Sequence, residues 1–168
     1  MMLRVLIAAY LATCAGTAQP PGTTAIQQQL FGAWTLVSSY TLRENGSRFG
    51  AVGSNPRGML VYDMSGRVSV QIIDPSIANF AAGSRLQGTA EENKAAVQGT
   101  VSYFGTYTVD EASHTITHHV ECSMFPNYNG TDQKRMFTLN GDELKLVTQP
   151  LPYPGGPVVG YLVWKRAK

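Results

Sequence analysis

From Gly32 onward, runs of alternating hydrophobicity are interrupted at short, regular intervals by turn residues, and this spacing constrains the fold more than any other feature of the chain. Asp63-Met64-Ser65-Gly66, Asp110-Glu111-Ala112-Ser113 and Asn140-Gly141 each separate two such runs. Asn-Gly is favoured where both residues of a tight turn need positive φ. The pattern predicts strands near 33–43, 57–63, 67–73, 100–109, 114–123, 133–140, 143–149 and 158–166. Asn45-Gly46 folds the end of the first strand back on itself, so eight to ten strands are expected. Sequential hairpins with no helical layer large enough to cover an open sheet imply an all-β antiparallel sheet closed into a barrel, which removes its unpaired edges. Eight strands leave an interior that holds side chains or one small ligand.

One stretch breaks the alternation. Thr89-Ala90-Glu91-Glu92 starts a capping box, and good helix formers run from Glu91 to Gln98 before Gly99, which predicts one short surface helix. Pro75–Phe80 is read as a further helical turn, and the span from Asp74 to Gly99 as a crossover or lid. A loop this long in a compact domain is usually functional or mobile. Pro150, Pro152, Pro154 and Gly155-Gly156-Pro157 make a stiff, irregular lead into the last strand.

The chain of 168 residues fits a single domain, and its net charge of +2 comes without any clustered basic patch of the kind that nucleic acid demands. Its start reads as a secretory signal peptide over residues 1–18: Met1-Met2-Leu3-Arg4, an apolar run from Val5 to Ala12 too short to span a bilayer, then Gly16-Thr17-Ala18 before a cut at Gln19. Leu11-Ala12-Thr13-Cys14 offers a lipoprotein box as a weaker alternative. The expected organisation is a leader over 1–18, a linker over 19–29 and a barrel over 30–168, with a secreted or periplasmic location. Without the leader Cys122 is the sole cysteine, so no intramolecular disulfide forms, and it is read as a small buried hydrophobe on the apolar face of its strand.

Gly32-Ala33-Trp34 resembles the Gly-x-Trp signature of lipocalins, and Arg166 ends the last strand where those proteins place an arginine over that tryptophan. The blocks Gly32–Ser38, Asn55–Tyr62, Tyr103–Tyr107, His118–Glu121, Phe125–Asn127 and Gly130–Gln133, in this order, resemble the bacterial and fungal lipocalin-like domain family from about Phe31 to Lys165. The resemblance implies a calycin-type, up-and-down β-barrel. It implies a cation–π contact that seals one end, and little chemistry, since such barrels include carriers of hydrophobic molecules and a few cyclase-type enzymes.

Strand alternation sorts the candidate site residues. Ile116, His118, Val120 and Cys122 share one face, and Thr117, His119, Glu121 and Ser123 the other. Arg135 shares its face with Phe137 and Leu139, and Tyr103 and Tyr107 theirs with Val101 and Val109. With apolar faces inward, Tyr103, Tyr107, His118 and Arg135 converge inside, walled by Met59, Leu60, Tyr62 and Phe137. His118 is read either as a core histidine held by a tyrosine hydroxyl or a carbonyl, or as an acid/base group. His119 faces away, and a one-residue bulge would exchange the two, so both are carried as binding candidates. An inward Arg135 demands an acceptor, whether a carboxylate, a carbonyl or an acidic ligand; alternatively it reaches solvent from a strand end.

No cofactor is implied. His119 and Glu121 share a face but are too few to close a metal site, and neither a phosphate-binding glycine loop nor a Gly-x-Ser-x-Gly elbow is present. Asn45-Gly46-Ser47 and Asn129-Gly130-Thr131 match the glycosylation sequon. Two functions follow as expectations. One is a binding protein for a small hydrophobic or amphipathic molecule with an oxygen function. The other is a lyase or isomerase acting in the same cavity through His118, Arg135 and Tyr103. A solid interior, with the 74–99 loop as an interaction surface, is the third option. No nucleic-acid partner and no membrane span are expected, and oligomeric state is left open.

Overall fold

The computed structural model describes residues 25–168. The expected leader, Cys14 and the first part of the expected linker lie outside those residues. Nine strands follow one another: β1 (Gly32–Arg43), β2 (Arg48–Phe49), β3 (Arg57–Tyr62), β4 (Arg67–Ile73), β5 (Thr100–Asp110), β6 (Thr115–Ser123), β7 (Asp132–Asn140), β8 (Glu143–Thr148) and β9 (Val158–Arg166). From β3 to β9 each strand pairs antiparallel with the next, and β1 pairs with β3 on one side and β9 on the other. Eight strands therefore close an up-and-down barrel, and β2 is a two-residue addition that folds back on the end of β1 through Thr41↔Phe49. Closure leaves the eight-stranded barrel no long free edge, as the hairpin spacing demanded.

The turns explain the register. The Asp63 carboxylate accepts the backbone N–H of Ser65 (2.8 Å) and of Arg67 (2.9 Å), and Gly66 takes φ 84° to bring the chain back. Between β7 and β8, Asn140 pairs with Glu143, so the loop residues are Gly141 and Asp142 rather than Asn140 and Gly141. Only Gly141 has positive φ, 57°, which is the sense of a type II′ turn, with glycine at the first loop position.

Two bulges shift the alternation. Val37 is the extra residue of β1 against β9 and stands 61% exposed. In β6 the pairing jumps from Phe104↔Cys122 to Gly105↔Val120, leaving Glu121 unpaired. Cys122 therefore points to solvent, and its expected burial is corrected: the bulge turns outward a side chain that strict alternation would have buried. Gly105 makes this possible, because a Cβ there would lie 2.0 Å from the His119 carbonyl oxygen.

One end of the barrel is sealed. Residues 25–29, expected as the last part of the linker, and Leu30, expected as the start of the barrel, form a short helix α1 (Ala25–Leu30) that lays Leu30 and Ile26 against the core. Trp34 Nε1 donates to the Leu30 carbonyl at 2.9 Å, and the Arg166 guanidinium sits 4.3 Å from the Trp34 ring while donating to the carbonyls of Phe31 and Gln29. The expected seal is present. At the other end lie the loops 44–56, 74–99, 124–131 and 149–157. The 74–99 loop carries the expected helix, α2 (Ala90–Gln98), with a complete Thr89–Glu92 capping box. Its two ends are tied by Asp74 N–H donating to the Gly99 carbonyl at 2.8 Å, which makes it a flap with a closed base. The helical turn expected over Pro75–Phe80 does not form, because the Asp74 side chain caps Ser76 N–H and starts a local turn instead.

Candidate functional site

Inside the barrel the alternation of β3, β5, β6 and β7 places Tyr62, Tyr103, His118 and Arg135 on inward faces. His118 is 1% exposed and lies between two tyrosines: the Tyr62 hydroxyl is 2.7 Å from Nε2 and the Tyr103 hydroxyl 2.8 Å from Nδ1. Both ring nitrogens are thus occupied. Burial, with the charge of Arg135 adding to it, holds the His118 pKa well below its ordinary value, so the ring is neutral near pH 7. Burial also raises the Tyr62 and Tyr103 hydroxyls above theirs; at Tyr103 the charge of Arg135 pulls the other way.

Arg135 is 8% exposed, and one of its guanidinium nitrogens donates to the Lys134 carbonyl at 3.0 Å. Among the described residues the contacts between basic side chains and carboxylates are Arg67–Glu121, His119–Asp132, Lys145–Glu143 and Arg166–Asp142, and none includes Arg135. A cation withdrawn from water without a counter-ion is costly unless something else supplies negative charge. It lines an interior cavity of about 120 Å³, together with Tyr103, His118, Tyr128, Thr148, Trp164 and an apolar wall that includes Leu60, Val70, Ile72, Leu146 and Leu162. Larger hollows exist on the surface, one of about 540 Å³ beside His114 and Met136 and one of about 710 Å³ under the 74–99 loop, but neither gathers these buried polar groups.

A family profile described as the lipocalin-like domain matches residues 31–167. The chain belongs to the lipocalin-like domain family. It is similar to the 4'-hydroxy-3'-methoxypropiophenone carrier protein ppsC of Aspergillus oryzae, with 32% identity over 106 residues that take in 59% of this chain and 96% of that protein.

In this lipocalin-like barrel the remaining candidates separate. Leu60 and Phe137 are buried with Tyr62 in the core, Leu60 in the cavity wall. Met59 is 48% exposed and lies outside: adjacent residues of a strand cannot both face in, so the expectation that Met59 and Leu60 share the wall is corrected in favour of Leu60. Tyr107 is inward but sits toward the sealed end, its ring 4.6 Å from that of Tyr62 and its hydroxyl donating to the Asp63 carbonyl at 3.3 Å. Burial pushes its pKa up to about 12, and it does not reach the cavity. His119 is on the outer surface, between Asp132 (2.7 Å) and Thr108 (3.0 Å), while Glu121 forks onto Arg67 at 2.7 and 3.0 Å. Each of the two outer groups has its own partner, and among the described residues no cluster of metal-binding side chains occurs.

Sequence reasoning missed Trp164. Its ring is 1% exposed and lines the cavity, and its indole N–H has no hydrogen-bond partner among the described residues. Inward placement was readable from alternation with Leu162; the orphaned donor was not, because it depends on what faces it across the barrel.

Proposed function

We propose that this protein is a carrier that holds one small, single-ring, largely apolar molecule bearing an oxygen acceptor. The observation that carries the reading is an apolar cavity lined by one cation, Arg135, that has no counter-ion among the described residues. Size supports it as well: an apolar cavity of about 150 Å³ takes benzene, so about 120 Å³ suits one ring, with any longer substituent extending toward the loops. The Aspergillus oryzae relative is by name a carrier of an aromatic ketone with hydroxyl and methoxy groups. The apolar wall supplies most of the affinity, and Arg135 and Tyr103 fix the orientation. A lyase or isomerase is the weaker reading, because His118, the natural acid/base group, has both nitrogens engaged by tyrosines and no free lone pair toward the cavity.

Native mass spectrometry and calorimetry with 4'-hydroxypropiophenone test the carrier reading. A one-to-one complex of about micromolar affinity is expected. Absence of binding by this and other single-ring aromatic carbonyls would overturn it. Export through the predicted leader belongs to the same proposal, and N-terminal sequencing of protein recovered outside the cytoplasm, expected to begin at Gln19, tests it.

A further inference from the structure

The charge of the cavity lining is one-sided, with Arg135 facing no carboxylate among the described residues. Tyr62 is buried, and His118 Nε2 is the hydrogen-bond partner of its hydroxyl among the described residues, so its O–H donates there. A neutral imidazole then carries its hydrogen on Nδ1 and gives it to the Tyr103 oxygen, which leaves the Tyr103 O–H free to donate. Tyr103 lines the cavity. Arg135 brings five N–H donors, with one nitrogen engaged by the Lys134 carbonyl and the guanidinium within side-chain hydrogen-bonding reach of the Tyr103 oxygen, and the indole N–H of Trp164 is unpartnered among the described residues. On the acceptor side, Ser39, Thr41 and Thr148 offer neutral hydroxyls, that of Thr148 already receiving the Gly160 N–H at 2.9 Å, and among the described residues no carboxylate lines the cavity. A neutral ketone would satisfy donors yet leave the guanidinium charge unmatched; an anionic oxygen satisfies both.

Resting on the carrier reading, we propose that the cavity binds its ligand as an oxyanion, with Arg135 and Tyr103 as the anion-binding pair and an acidic phenol or enol of one ring as the ligand class. On binding, the ligand O–H ionises, its proton leaves to the buffer, and the electron pair left on oxygen faces the guanidinium and the Tyr103 O–H. No other bond changes. An opposite charge at about 4–6 Å favours an ionised group by about 1–3 pH units, and a desolvated site without that charge does the reverse. The bound phenol therefore titrates at least about one unit below the free phenol, a tenfold preference for the anion.

The test uses the full folded protein with 4'-hydroxyacetophenone, followed by the phenolate absorption band from pH 5 to 10, and 4'-methoxyacetophenone as the ether that cannot ionise. In the wild type the phenolate band should appear at lower pH when bound, with proton release that differs in calorimetry between buffers of different ionisation heat. Arg135→Met should bring the phenol-to-ether affinity ratio from about tenfold or more to near one, and Arg135→Lys should restore part of it. If Arg135→Met fails to fold, the wild-type titration alone decides. Binding of both probes with an unshifted or raised phenol titration overturns the oxyanion proposal and leaves the carrier reading intact; binding of neither overturns both.

Discussion

Two residues of the inner set make opposite demands on the same imidazole. Removing the Tyr62 hydroxyl leaves His118 Nε2 buried without a partner, in packing too tight for water, because Tyr62 is 1% exposed and stands off the cavity wall. Tyr62→Phe should therefore cost about 1–3 kcal/mol of stability. Tyr103 borders the cavity, where a water molecule takes over the hydrogen bond, so Tyr103→Phe should cost less than Tyr62→Phe while weakening ligand binding more. Chemical denaturation of both variants, beside calorimetric titration, checks the crossover; equal stability losses would remove the distinction. His118 also sets a pH dependence. Its folded-state pKa lies well below the ordinary 6.5, so above 6.5 both folded and unfolded chains hold it neutral and it contributes no slope. As pH falls below 6.5 the unfolded chain takes up a proton that the folded interior refuses, and stability declines by at most about 1.4 kcal/mol per pH unit until the folded value is reached. Melting temperatures between pH 7 and 5 should fall in the wild type and much less in His118→Gln. The lowered carboxylates Asp63, Asp74, Asp110 and Glu92 act lower on the pH scale, below their ordinary values of 3.8 and 4.5, and leave most of this window to His118.

At the scale of the element, the β5–β6 hairpin is the part whose local geometry sets what faces in. The bulge at Glu121 lets Val120 stay inside while both Glu121 and Cys122 point out, and it depends on the missing side chain at position 105. Gly105→Ala would force the His119 backbone away, since the clash is with a carbonyl and not with a flexible side-chain tip. A loss of about 3 kcal/mol is expected. Gly141→Ala, at a positive-φ turn with open space around it, should cost only about 1 kcal/mol. Equal losses in urea denaturation would mean that the hairpin repacks freely. The same element shows what a single sequence carries. Period-two alternation put His118 inside and His119 outside, since both stand before the bulge, on the side where the count from Thr115 is unbroken. Beyond it the count fails, which is why Cys122 was misplaced. Nothing in local sequence marks the bulge, because its cause is the fit of Gly105 against a backbone carbonyl of the neighbouring strand. Met59 fails for a different reason: placing it in the wall beside Leu60 goes against the alternation that serves elsewhere.

For the molecule as a whole, closure joins the two ends of the described chain, β1 to β9 from Trp34↔Arg166 to Arg43↔Val158, and this pairing encloses the whole intervening meander. Arg166 is the clasp of that closure. Its guanidinium donates to Phe31 O at 2.7 Å and Gln29 O at 2.6 Å, reaches Asp142 at 3.2 Å and lies over Trp34. One side chain therefore ties α1, β1, the β7–β8 turn and β9 together at the sealed end. Loss of a charged hydrogen bond to the part-buried Phe31 carbonyl, of an exposed one to Gln29 and of the stacking on Trp34 predicts that Arg166→Ala is destabilised by about 2–3 kcal/mol. Arg166→Lys should recover little, because a single ammonium cannot span two carbonyls and stack on the indole at once. Ligand affinity is expected to change by less than about threefold in either variant while the barrel stays folded, since Arg166 is not part of the cavity wall and a distant site adds independently. Thermal melts paired with binding at a temperature below both transitions separate the two quantities. A variant that melted like the wild type would show that strand pairing alone closes the barrel, and one that stayed folded but lost its ligand would show that the seal and the cavity are a single cooperative unit.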